Sequence, residues 1–148
     1  VAAPATAGIE FVERHRQAGG AAEELEQATL VVTGGLGLGA PEAFDTLRQL
    51  ADRLGATLGG SKQAVDRGWI AADRQVGLTG TTVAPRMYLA IAVSGALQHM
   101  AGCQKSKMIV AINTDPEAPI FRFAKYGVVG PWEDVVPELL AQLGAGAP

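Results

Sequence analysis

The apolar run Tyr88-Leu89-Ala90-Ile91-Ala92-Val93 stops at Ser94-Gly95, and the residues that follow, up to Gly102, read as a helix. A buried strand that ends on Ser-Gly and turns straight into a helix is a phosphate-binding design. The glycine lets a ligand approach the backbone. The free N–H groups of a first helical turn, together with the helix dipole, favour an anion there. Ser94 adds a hydroxyl donor, and Gln98 and His99 stand about one turn further on. A second glycine–threonine turn lies upstream, Gln75-Val76-Gly77-Leu78-Thr79-Gly80. Together the two segments predict a nucleotide-type cofactor with polar side chains arranged around a ring.

The rest of the chain repeats the same alternation. Thr29-Leu30-Val31-Val32-Thr33 is a short β-branched run closed by Gly34-Gly35. Phe44, Leu47, Leu50, Ala51 and Leu54 recur at helical steps, predicting a helix over residues 41–54 that Gly55 ends. A second strand is expected over 56–59, and a short helix over 61–67 with Ser61 as its N-cap. Residues 86–93 form the third strand and 95–101 the helix after it. Residues 107–113 are apolar on both faces, as a central parallel strand is. A short helix after Pro119, an edge strand at Val128-Val129 and a last helix over 131–143 complete the pattern. In that last helix Val135, Val136, Leu139, Leu140 and Leu143 make the inner stripe.

Strands alternating with helices imply an α/β, Rossmann-like three-layer fold, a parallel sheet flanked by helices. Ligands of such sheets bind beyond the carboxyl ends of the strands. The four ends in question, Gly34-Gly35, Gly59-Gly60, Ser94-Gly95 and Asn113-Thr114, are all small or polar, which fits one crevice.

At 148 residues the chain is long enough for one ordinary domain with a real core. Residues 1–28 are rich in Ala, Gly and Glu. They read as a linker or a remnant of an upstream domain, with a short strand at Ile9 to Val12 and a solvated His15, and 29–148 as the cofactor domain. A net charge of −3 without a Lys/Arg cluster argues against nucleic acid, and 5% aromatics argue against a base-stacking platform. One cysteine, Cys103, rules out an internal disulfide and a multi-cysteine metal site, and it reads as a small core residue. No secretory signal is visible, and the uncharged stretch from Met87 to Gln104 changes from strand to helix at Ser94, so it reads as core and not as a membrane span.

Candidates for chemistry are few. Gly34-Gly35-Leu36-Gly37-Leu38-Gly39 follows a strand but lacks the dinucleotide spacing, and no acid closes the next strand to hold a ribose. No Ser–His–Asp or Cys–His order stands out, and neither histidine has a partner at metal-ligand spacing. The residues alone leave three readings open. One is a domain that binds a nucleotide-type cofactor. The second is an enzyme with another nucleotide in the crevice, for which Asp66, Asp73 and Asp115 are the candidate bases. The third is an interaction domain whose pocket no longer serves a cofactor.

From Val31 to Leu143 the chain resembles the C-terminal, FAD-binding domain of electron transfer flavoprotein alpha subunits. The resemblance is carried by Val32-Thr33-Gly34-Gly35, Gly60-Ser61, Gln75-Val76-Gly77, Thr79-Gly80, the Ser94 to Gly102 segment with its Gln98-His99 pair, Val110-Ala111-Ile112-Asn113, and Asp115-Pro116-Glu117-Ala118-Pro119-Ile120-Phe121. It implies an electron carrier and not an enzyme. FAD is the implied cofactor, a beta subunit the implied partner, and flavin dehydrogenases the implied electron donors. The setting would be the bacterial cytoplasm or, in a eukaryote, the mitochondrial matrix. It places phosphate contacts on Ser61 and on Ser94 and Gly95 with the helix they open (Ala96, Leu97). Flavin contacts fall on Lys62, Val76, Gly77, Leu78, Thr79, Gln98 and His99, and adenosine contacts on Asn113, Pro131 and Trp132. Thr79 would donate to the flavin N5, and His99 would stabilise the anionic reduced ring near N1 and the C2 carbonyl. The chain also departs from the family. Leu36 and Lys62 stand where arginines are usual, Leu78 where glutamine is common, and Pro131 where an acid is common. Two weakened phosphate or flavin contacts of about 1.5–3 kcal/mol each correspond to roughly 10²–10³-fold in affinity.

Overall fold

The computed structural model describes residues 20–146. The expected strand over Ile9 to Val12 and the solvated His15 lie outside the described residues. Along the central strands successive side chains enter opposite layers, as strand geometry requires. Leu89, Ile91 and Ile112 face one core and Tyr88, Ala90, Ile109 and Ala111 the other. Both faces are therefore covered, and the sheet lies in the middle of three layers.

The elements are α1 (Ala21–Gln27), β1 (Leu30–Gly34), α2 (Ala43–Leu54), β2 (Thr57–Gly60), α3 (Lys62–Asp66), β3 (Met87–Ile91), α4 (Leu97–Met100), β4 (Ile109–Asn113), β5 (Tyr126–Val129) and α5 (Trp132–Gly146). Single 3-10 turns cover Leu36–Leu38, Ala72–Arg74 and Pro119–Arg122. The five strands run in the order β2-β1-β3-β4-β5. Every pairing is parallel. The order reverses between β1 and β3, so the connections leave those two carboxyl ends in opposite directions and open a crevice between them.

One core holds Phe44, Leu47 and Leu50 of α2, with α5 laid beside them through Val136. Val135, Leu139, Leu140 and Leu143 of the predicted stripe are half-buried against the same core. The other core gathers Leu25, Val76, Val83, Met100, Cys103 and Ile120 around Tyr88.

Two expectations meet a different structure. Residues 21–27, read as part of a linker or remnant, form α1, and its Leu25 is fully buried beneath Val31 and Val76. One apolar side chain among acids gives no periodic signal, but it is enough to dock a two-turn helix. The helix expected to open at Ser94-Gly95 begins at Leu97 and is a single turn, so Ser94 belongs to an extended connection and not to a helix N-terminus. The short helix expected after Pro119 is present as the 3-10 turn Pro119–Arg122.

A candidate cofactor crevice at the strand ends

Three connected hollows line the carboxyl edge of the sheet. The central one, about 330 Å³, lies at the β1/β3 reversal and is lined by Gly35, Leu36 and Gly37 after β1 and by Ala92, Val93, Ser94 and Ala96 after β3, with Ser61 and Asn113 also on its wall. A second, about 400 Å³, runs over Lys62, the 75–79 turn, Gln98 and His99. A third, about 180 Å³, lies between Asn113, Gly130 and Trp132. The first two share Gln63, Ala96 and His99, and the first and third share Gly37, Ala92 and Asn113. The result is one elongated crevice crossing several strand ends.

The chain segment along its floor is clamped from both sides. Asn113 Nδ2 donates to the Val93 carbonyl at 3.0 Å, and Ile120 N donates to the Ser94 carbonyl at 2.9 Å. Gly95 sits at φ +89°, and a Cβ there would fall 2.4 Å from Ile120 N. The side-chain position of Gly95 therefore faces the 119–122 turn and not the crevice. Ala92 takes φ +59°, a left-handed conformation rare for a residue with a Cβ. It lines both the central and the Trp132 hollows. Its conformation puts the sharp corner after β3 that swings Ser94 under the crevice.

At the wide end, the 75–81 turn is fixed to α4. Leu78 N donates to the Gln98 carbonyl at 2.8 Å, and Gly102 approaches Gly77 so closely that a Cβ on Gly102 would lie 2.5 Å from the Gly77 Cα. Gln75 Nε2 donates to Thr79 Oγ1 at 2.9 Å, which leaves the exposed threonine hydroxyl its own proton to give. Ser61 Oγ accepts from Ala64 N at 3.3 Å as the α3 cap and likewise keeps a proton free for the crevice. Lys62, on the crevice wall, is paired with Asp66 at 2.8 Å.

His99 occupies the junction of the two larger hollows, 7% exposed. Its Nε2 lies 2.7 Å from the Tyr88 hydroxyl, and its Nδ1 has no hydrogen-bond partner. Burial pulls its pKa down to about 4, so the ring is neutral at neutral pH. The histidine that the resemblance sets beside a reduced ring is thus a neutral imidazole. Burial also pushes the Cys103 thiol up to about 12, which removes it from nucleophilic roles.

The sequence-derived residues thus divide. Ser61, Lys62, Val76, Gly77, Leu78, Thr79, Ser94, Ala96, Gln98, His99, Asn113 and Trp132 line the crevice. Gly95, Leu97 and Pro131 do not line it. Leu97 points outward at 78% exposure, and the Pro131 carbonyl receives Asp134 N and Val135 N at the start of α5. Trp132 also has a structural task, its Nε1 donating to the Leu38 carbonyl at 3.2 Å. Gly37, Gln63 and Ala92 line the crevice without having been singled out. The only local signal for them is proximity to a strand end. Among the described residues no group of His, Cys, Asp and Glu could hold a metal ion, and no helix is long and apolar enough to cross a membrane.

Residues 24–104, more than half of the chain, match the family model of the electron transfer flavoprotein FAD-binding domain, alpha type. The chain belongs to this family. It is 55% identical over 120 residues to the electron transfer flavoprotein subunit alpha of Paracoccus denitrificans, covering 81% of this chain and 39% of the relative. The subunit alpha of Thermoanaerobacterium thermosaccharolyticum is 50% identical over 119 residues, covering 80% and 36%. That of Pseudomonas aeruginosa is 49% identical over 139 residues, covering 94% and 45%. The chain therefore spans about two fifths of the length of these relatives. Neither a different nucleotide enzyme nor a cofactor-free interaction domain is favoured by these matches.

Proposed function

We propose that this chain is the FAD-binding domain of an electron transfer flavoprotein alpha subunit, and that FAD lies along the crevice at the carboxyl ends of the sheet. One observation carries the reading. Within a family defined by FAD binding, the crevice is elongated, and its wide end is lined by His99, whose buried Nδ1 has no partner, and by Thr79, whose hydroxyl keeps a proton to give. A planar ring rich in nitrogen and carbonyl acceptors fits those two groups. A phosphate-bearing linker fits the narrower stretch past Ser61 and Ser94, whose lining offers hydroxyls and Gln63 but no arginine or lysine. The adenosine end would reach Asn113 and Trp132.

Bound FAD supplies the reversible electron acceptance. The residues supply position and electrostatics. Ser61 and Ser94 donate to phosphate oxygens. Thr79 donates to a ring nitrogen while Gln75 holds its oxygen in place. His99 gives a neutral polar contact and no full charge. Lys62, held by Asp66, is the one cation on the lining of the wide end. In the whole protein a beta subunit would complete the pocket, flavin dehydrogenases would deliver the electrons, and an acceptor would take them onward, in a bacterial cytoplasm or a mitochondrial matrix.

The test is titration of the purified, flavin-stripped chain with FAD, followed by flavin fluorescence and absorption. Saturable one-to-one binding that is competed by ADP is expected. A chain that leaves added FAD unperturbed would overturn the reading and return the cofactor-free interaction domain as its replacement.

A further inference from the structure

Tyr88 and His99 come from different elements, β3 and α4, and meet in the core behind the crevice. Tyr88 is wholly buried, and its hydroxyl lies 2.7 Å from His99 Nε2. Thr33 and Cys103 are the other polar neighbours of that hydroxyl. Thr33 Oγ1 makes no hydrogen bond, and Cys103 is engaged with Met100. A buried phenol keeps its proton and must place it on an acceptor. Of the acceptors around it, an imidazole nitrogen is stronger than a hydroxyl oxygen or a thiol sulfur. The second ring nitrogen, Nδ1, is buried without a partner, and its ring lines both larger hollows.

The geometry points to Tyr88 as a positioning residue: by donating to Nε2 it holds the neutral His99 with its proton on Nδ1, the unpartnered nitrogen of a ring that lines the crevice. An isolated imidazole favours the opposite tautomer, with the proton on Nε2. The alternative arrangement here, Nε2–H donating to the phenol oxygen, would leave the phenol proton to the weaker acceptors Thr33 and Cys103 and an Nδ1 lone pair without a partner. Donation by Tyr88 gives its proton the strongest acceptor and leaves one orphan on the ring, the Nδ1–H, for a ligand acceptor. The ligand class this selects is a planar heterocycle bearing a carbonyl oxygen or an unprotonated ring nitrogen at the His99 end. That clause rests on the proposed FAD reading. The tautomer does not, because it is a property of the chain without ligand. The function assigned to Tyr88 is therefore separate from packing: a phenylalanine fills the same space but cannot set the tautomer.

The experiment uses the full chain labelled with ¹⁵N-histidine. The sequence has only two histidines, and His15→Gln assigns the pair. Long-range ¹⁵N–¹H correlation at neutral pH reads which ring nitrogen carries the proton. The expected result is an Nδ1–H tautomer for His99 in the unliganded wild type, reverting to Nε2–H in Tyr88→Phe. An Nε2–H tautomer in the wild type overturns the proposal without any variant. An Nδ1–H tautomer that survives in Tyr88→Phe overturns it as well. FAD titration then reads the consequence. Tyr88→Phe should weaken binding about five- to tenfold, the worth of one neutral hydrogen bond. The loss should vanish when the same change is made in a His99→Phe background, because Tyr88 acts through His99. An equal loss in both backgrounds would mark Tyr88 as merely structural and sink the proposal. If the wild type binds no FAD, the FAD reading fails while the tautomer measurement still decides the role of Tyr88.

Discussion

His99 is a histidine that the fold keeps neutral. Burial lowers its pKa to about 4, while an unfolded chain would titrate it near 6.5. Between those values the unfolded state binds the proton and the folded state does not, so stability is complete above about pH 6.5 and falls as the pH drops toward 4. The loss attributable to this one side chain is about 3 kcal/mol. Tyr88 is the titratable group that faces it directly, and as a buried phenol with a raised pKa it stays neutral throughout that window. Urea midpoints measured at pH 7 and pH 4.5 for the wild type and for His99→Gln check the point. The variant should lose about 2 kcal/mol less than the wild type over that interval. Parallel losses would place the acid sensitivity elsewhere. His99 was visible in the sequence through its neighbours Ser94 and Gln98. Its partner Tyr88 was not, because a tyrosine in an apolar strand reads as a packing residue and its hydroxyl carries no periodicity.

At the scale of elements, the connection after β3 does the positioning. Four small features set it: the left-handed corner at Ala92, the Asn113 clamp on the Val93 carbonyl, the Ile120 amide on the Ser94 carbonyl, and the close seat of Gly95 on the 119–122 turn. The last corrects the reason for which a glycine is needed. A side chain at position 95 enters the backbone of Ile120 before it reaches any ligand. Gly95→Ala should therefore cost about 3 kcal/mol, combining a left-handed φ with overpacking, and show as a lowered thermal midpoint in circular dichroism without cofactor. An alanine variant as stable as the wild type, with only FAD affinity reduced, would instead put position 95 on the ligand side. The partner segment, Asp115 to Phe121, carries the same lesson. Its role here is to hold the β3 connection from β4, through Asp115 N on Asn113 Oδ1 and Ile120 N on Ser94.

Across the whole molecule, charge and topology act together. The chain carries a net charge of −3, and the central hollow, which takes the phosphate-bearing stretch in the proposed pose, is lined by Asp115 and by no cation. Leu36 stands on its wall, 41% exposed. Leu36→Arg should tighten FAD binding by about 1–3 kcal/mol in low salt through a charge-assisted contact. The gain should shrink as salt is raised, because the site is open to water. Paired titrations at matched low and high salt read both effects. Equal affinity of variant and wild type would mean that the phosphates do not pass position 36.

What the sequence determined by itself is what short-range physics encodes. The unbroken apolar runs of β3 and β4, the three- and four-residue steps of α2, the Ser61 cap and the small residues at the strand ends are each set within a few neighbouring residues, so the layered α/β fold and most of the crevice lining were legible. The family motifs added the expectation of FAD. The tertiary structure alone decided the strand order β2-β1-β3-β4-β5, and with it the reversal between β1 and β3 that opens the crevice. It also decided that α1 docks by Leu25, that α4 is one turn long, that Gly95 faces inward, and that Tyr88 meets His99. Each of these depends on a contact between segments far apart in the chain, whose energy exists only once the layers have closed. Local residue patterns carry backbone preference and apolar face, but not which buried polar atoms will find one another.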